Sequence, residues 1–398
     1  MMRPELLAPA GNLEKLETAF SFGADAVYIG NWIFGLRKFA DNFTLRQMEM
    51  GINLANRLGK KVYVVLNGFA HDEDLEALRP YLIELNRIQP HGFIISDAGV
   101  ASLSQELTTV PLHVSTQASV TNAYDCAMWK ELGATRIVLA REVTIDQIRE
   151  IKRQVDIELE VFVHGSMCAS YSGKCVISNY TAARDSNRGG CIQSCRHTYE
   201  LINEENGETE TTHIMNAKDL MTLNLVPDLI DAGVESFKIE GRMKSPMYVA
   251  SVVTAYRDAI ESALENRSPD ANAETELEKI SNRGYFTGGL DDRPAGESIN
   301  YATNGHSAGV KYLGSIKSVN EQMGSVILSR GILSVGEEIE IQSPTGIYAY
   351  TIGEMRDMAG RSLEKCVPSQ MICLPDLRNV PENTILRKPI VEVVTENA

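Results

Sequence analysis

Eight short apolar runs punctuate the first two thirds of the chain, and most are followed by a segment with helical periodicity. They are 5–10 (ELLAPA), 26–30 (AVYIG), 62–67 (VYVVLN), 92–97 (GFIISD), 111–116 (PLHVST), 136–141 (RIVLAR), 158–165 (ELEVFVHG) and 236–241 (SFKIEG). The segments between them look helical. The clearest follows the last run: Ser245 can cap, Pro246 suits the first helical position, and Tyr248, Val252, Tyr256, Ala259 and Ala263 form one stripe. Alternation repeated eight times predicts an α/β fold of the TIM-like (β/α)8 barrel type, with an open doubly wound sheet as the alternative.

Barrel enzymes place their sites at the carboxyl ends of the strands, and here those ends carry polar groups one after another. Strand two runs through Tyr28 toward Arg37 and Asn42. Strand three ends in Asn67, strand four in Asp97, and strand five in Ser115, Thr116 and Gln117. Strand six ends in Arg141 and Glu142, strand seven in His164, and strand eight in Glu240 and Arg242. Each has a plainer explanation. Asn12, Asp97 and Asn122 suit helix caps, His113 suits a core histidine, and Glu240 with Arg242 could be an ordinary ion pair.

Directly after His164 comes a segment with four of the seven cysteines: Cys168, Cys175, Cys191 and Cys195, spaced C-x6-C-x15-C-x3-C among glycines and serines. The spacing lacks the C-x2-C knuckle of many structural zinc sites. Four thiolates on a loop suit an iron-sulfur cluster, while zinc and unligated thiols stay open as alternatives. Cys126, Cys366 and Cys373 stand in helical or apolar surroundings, where thiols are commonly small core residues. An apolar signal core is missing from MMRPELLAPAG and no run is long enough to span a membrane, so a soluble cytoplasmic protein with reduced thiols is expected. The formal charge of -15 disfavours a protein that coats nucleic acid by bulk electrostatics, though not a basic cleft on an acidic body. The P-loop and H-E-x-x-H patterns are absent.

The barrel is expected over residues 1–268, with its cysteine loop at 164–196, and a linker with a short helix over 269–304. Within that linker NRGYFTGG is expected to lie back over the barrel mouth. Short β runs at close spacing over 305–392 predict a small C-terminal antiparallel β-barrel, with Glu337, Glu338 and Glu340 on one face and Lys311, Lys317, Arg330 and Lys388 on another.

The stretches LLAPAGN, YIGNWIFGLRKFADNF, HVSTQASVTN, RIVLARE, HGSMCASYSGKCVISNY, GGCIQSCR and KIEGRMKS together resemble the collagenase-like peptidase family of unassigned catalytic type. The likeness is greatest to its branch that installs 5-hydroxyuridine at the wobble position of tRNA. The resemblance implies an oxygen-independent hydroxylation with prephenate as hydroxyl source, a tRNA anticodon loop as partner, and an iron-sulfur cluster, of the 4Fe-4S type, on Cys168, Cys175, Cys191 and Cys195. It leaves room for a paralogue partner. In that reading Arg37, Arg141 and Arg242 bind the prephenate carboxylates, Asn67 and Gln117 complete the substrate pocket, and His164 and then Glu240 are the candidates for proton transfer. The alternatives are a sister hydroxylase acting on ribosomal RNA or a quinone precursor, a peptidase, and a non-catalytic RNA-binding scaffold.

Overall fold

In the computed structural model, which describes residues 2–31, 35, 42–291, 295–303, 305 and 308–390, eight strands pair in sequence order and every pairing is parallel. They are β1 (Glu5–Pro9), β2 (Ala26–Gly30), β3 (Lys61–Leu66), β4 (Gly92–Ile95), β5 (Leu112–Val114), β6 (Ala134–Val138), β7 (Glu158–Ser166) and β8 (Ser236–Ile239). β8 pairs with β7 on one side and with β1 on the other, Glu5 opposite Ser236 and Leu7 opposite Lys238, which closes the barrel.

The helices begin where the sequence has capping residues. Asn12 accepts from the Lys15 amide at 3.0 Å, Asp97 from the Gly99 amide at 2.8 Å, and Asn122 from the Asp125 amide at 3.0 Å, so these three side chains terminate helices. Ser245 Oγ caps the helix Pro246–Glu265, whose Tyr248, Val252, Tyr256 and Ala259 are buried. Among the described residues no helix is long and apolar enough to cross a membrane.

Alternation along each strand sends one set of side chains to the helical shell and the other to the barrel axis. On the axis lies a buried ion network. Arg136 reaches Glu5 at 2.6 Å, Glu158 at 2.8 Å and Glu160 at 3.3 Å, while Lys238 reaches Glu160 at 2.7 Å. Tyr63 donates to Glu5 at 2.7 Å. Burial alone would raise the Glu160 carboxyl, but Lys238 and Arg136 hold it below the ordinary carboxylate range. His113 is a core histidine packed edge-on against Tyr63 with ring centres 4.6 Å apart, and burial keeps it neutral.

Residues 310–389 form a seven-stranded antiparallel sheet in the order Gly346–Thr351, Glu338–Ser343, Ile385–Pro389, Val310–Asn320, Gly324–Ser329, Met371–Leu374, Arg356–Asp357. Its two outer strands follow one another directly in the chain, joined by Ile352 to Met355, and the whole sheet curls round one apolar core. Three of the four basic residues expected to share a face are drawn to acids. Lys317 and Arg330 converge on Glu14 of the barrel at 2.6 and 3.6 Å, and Lys388 pairs with Glu337 at 2.6 Å. Arg387, fully buried, bridges Glu340 of its own sheet to Glu276 of the barrel side at 2.8 and 2.6 Å.

Replacing one member of the axial network strands its partners away from water. Arg136→Met is expected to lower stability by about 3 kcal/mol or more, read as a fall in the urea midpoint of the first unfolding transition; an unchanged midpoint would show that the network contributes nothing net.

Candidate active site at the barrel mouth

Above the ion network the barrel opens into a cavity of about 1080 Å³, counted out to its mouth. Its floor is Tyr28, Val65, Ile94, Phe162 and Lys238; its rim carries Asn67, Ser115, Gln117, Arg141, Glu240 and Arg242; its roof is the cysteine segment.

The roof is tied down across the mouth. Arg188 donates to the Phe69 carbonyl and to Asp74 beyond β3, the Ser172 amide donates to Glu142 beyond β6, and Ser119 beyond β5 donates to the Ser172 carbonyl. Gly173, at φ +72°, sits so close to the Gln117 carbonyl that a Cβ there would fall 2.0 Å from its oxygen, so only glycine fits. Arg196, buried, binds the Met167 and Ala217 carbonyls and Asn216, which holds the segment's return.

Cys168, Cys175, Cys191 and Cys195 all face this one cavity, whereas Cys126, Cys366 and Cys373 are buried elsewhere. Burial raises the Cys195 thiol; Arg196 opposes that shift, and the other three thiols add to it, so the four act on one another. Among the described residues no three His, Cys, Asp or Glu side chains converge tightly enough for a single metal ion. Four thiols on one cavity wall are a donor set that fits an iron-sulfur cluster.

The structure brings Asn67, Gln117, Arg141, Glu240 and Arg242 together on the cavity; Arg37 lies outside the described residues. Arg141 stacks on Phe162 with its guanidinium carbon 4.5 Å from the ring centre, and its Nε has no hydrogen-bond partner among the described residues. Arg242 donates to Asn42 Oδ1 at 2.5 Å and lies across the backbone of Gly30, where a Cβ would come within 2.6 Å of the guanidinium. Glu240 accepts from the Tyr28 hydroxyl at 3.0 Å.

His164 is the exception. It does not line the cavity; it is 1% exposed, and its ring packs among Tyr248, Tyr256 and Tyr285 with centres 5.9, 5.5 and 5.4 Å away. Burial lowers its pKa to about 3, so the ring is held neutral. The cause is local: the β7–β8 register slips between Lys238 and Ile239, and Gly165 takes φ +108°, so the alternation that aims Glu160 and Phe162 inward breaks before His164. NRGYFTGG does fold back to this end of the barrel: Tyr285–Phe286 pairs with Asp219–Met221, and Gly289 rests on the Arg141 carbonyl. Among the described residues the cavity wall carries no histidine.

Lys238 was missed in the sequence because it stands inside an apolar run. Its signal was there in alternation, since Ser236, Lys238, Glu240 and Arg242 fall on one face. Its ammonium lies 4.8 Å from the Tyr28 ring centre and 5.4 Å from that of Phe162.

The profile of peptidase family U32 matches residues 11–300 and that of the peptidase family U32 C-terminal domain matches 309–387. The chain belongs to the peptidase U32 family. It is 38% identical to tRNA hydroxylation protein P1 of Bacillus subtilis, over 97% of this chain and 95% of that one. It is 31% identical to the 23S rRNA 5-hydroxycytidine C2501 synthase of Escherichia coli, over 94% of this chain and 56% of that one, and 31% identical to a Porphyromonas gingivalis protein named collagenase, over 93% and 94%.

Because the folded chain keeps His164 unprotonated down to about pH 3 and the unfolded chain protonates it near 6.5, stability falls as pH drops through that window. Comparing urea midpoints at pH 7 and 4.5, His164→Leu is expected to show a smaller drop than the parent. Equal drops would mean that the imidazole is not buried neutral.

Proposed function

We propose that this protein is a tRNA hydroxylase that forms 5-hydroxyuridine at the wobble position without dioxygen, using prephenate as hydroxyl source and an iron-sulfur cluster of the 4Fe-4S type. The observation that carries the reading is the meeting of four thiols, two guanidinium groups and a carboxylate in one cavity at the barrel mouth. The names of relatives that span almost the whole chain or most of it support RNA hydroxylation as the reaction class.

Cys168, Cys175, Cys191 and Cys195 would hold the cluster, which supplies electron transfer beside the substrates when bound. Prephenate brings two carboxylates. Arg141, preset on Phe162, and Arg242, oriented by Asn42, suit bidentate capture of such groups. An anticodon-loop base is already unpaired, so drawing it into the cavity costs little compared with flipping from a duplex. Glu240, placed by Tyr28, is the group on this wall that can take the C5 proton. The exchange balances without an outside oxidant: the base loses a hydrogen and gains a hydroxyl, a two-electron oxidation, and the donor loses the hydroxyl and gains a hydrogen, the matching reduction. The site of action would be the cytoplasm, where thiols stay reduced.

The test is nucleoside mass spectrometry of total tRNA from a strain lacking the gene and from one unable to make prephenate. Loss of 5-hydroxyuridine and its derivatives is expected in both, and unchanged nucleosides would reject the proposal. Anaerobically purified protein should also carry iron and acid-labile sulfide in near-equal amounts, and Cys191→Ala should lose both; zinc in their place would overturn the redox part of the reading.

A further inference from the structure

Asn67 follows β3 and Ser115 follows β5, and both side chains line the cavity. Ser115 Oγ accepts from Asn67 Nδ2 at 3.1 Å and from the Gln117 amide at 3.3 Å. A hydroxyl has two acceptor positions and one proton, so what Ser115 has left to offer is the proton. Asn67 is its complement. Its amide nitrogen is turned to Ser115, and its Oδ1 is buried without a hydrogen-bond partner, an arrangement that is costly unless a ligand supplies a donor. The residue is also held from behind, since its carbonyl accepts from Ser96 Oγ at 2.9 Å.

We infer that Asn67, with Ser115 beside it, reads the Watson–Crick edge of the target base and selects uracil over cytosine. The inference rests on the RNA-hydroxylase reading and deepens it. Uracil presents the N3–H donor next to the O4 acceptor; cytosine presents the N3 acceptor next to the N4 amino donor. An acceptor beside a donor on the protein therefore matches uracil at both positions and opposes cytosine at both. The distinction matters within this family, because one relative is named for 5-hydroxycytidine.

The experiment is binding of full-length, anaerobically purified protein to anticodon stem-loops with uridine, cytidine or 3-deazauridine at the wobble position, followed by fluorescence anisotropy. 3-Deazauridine keeps the shape of uridine but has C–H in place of N3–H and, as a 4-hydroxy-2-pyridone, an O–H at position 4, so it lacks the uracil pattern at both positions. The unmodified protein is expected to bind the uridine stem-loop roughly tenfold more tightly than either of the others. Asn67→Leu should bind the uridine form as weakly as the parent binds the 3-deazauridine form, while Asn67→Asp, which keeps an acceptor, should retain the preference over 3-deazauridine. A leucine variant with undiminished preference overturns the inference and leaves the RNA reading standing. A parent that binds none of the three overturns both. Should the leucine variant fail to fold, the aspartate variant decides, and loss of its uridine preference over 3-deazauridine overturns the inference.

Discussion

A carboxylate with no access to water, Glu160, is the fixed point under the active site. It is tolerable only because Lys238 and Arg136 reach it from neighbouring strands, and Arg136 in turn needs Glu5 on the strand across the closing seam. Strands β1, β6, β7 and β8 are thus bound through their axial side chains as well as their backbones. That rigid floor places Tyr28, Phe162 and Lys238, and they in turn set the seat of Arg141 and the base of the cavity. Arg242 is registered by a second constraint. Its own carbonyl lies so near Gly11 that a Cβ there would stand 2.4 Å away, and its guanidinium lies over Gly30. Two bare glycines therefore fix one cation.

Much of this was legible before any coordinates. All eight strand runs lie where expected, shifted by no more than a few residues at their ends, because each is built of β-branched or apolar residues and several lead to a capping residue such as Asn12, Asp97 or Thr144. The cysteines were legible as a group because loops rarely concentrate thiols by accident of packing. What failed was direction. His164 was assigned to the mouth from its position at the end of a strand, yet a register slip and one left-handed glycine turn it into the helical shell, and neither can be read from residue types. Lys238 failed the other way, since an ion pair beneath the cavity looks in the sequence like a stray lysine in an apolar strand. In the C-terminal domain the cations were identified but not their partners: Lys317 and Arg330 depend on Glu14, some 300 residues away, which no local pattern reveals.

The roof explains how an acidic chain can offer a site suited to anions. Over 164–196 the side chains include Lys174, Arg184, Arg188 and Arg196 against a single acid, Asp185, within a protein of formal charge -15. The cations of the chain are thus enriched in the segment over the cavity, against an acidic whole. The cations also have structural work, with Arg188 on Asp74 and Arg196 on backbone carbonyls, so the groups that lend the charge are those that hold the lid in place.

The closing seam has a consequence for biogenesis. β1 pairs with β8, whose residues come more than two hundred positions later, and the entire cysteine segment lies between them in the chain. During synthesis the four thiols therefore leave the ribosome before the ring that they roof can exist, while the barrel is still an open sheet with two unpaired edges. The cysteine segment is complete ahead of the final strand, and the pairing that closes the ring over it joins residues more than two hundred positions apart.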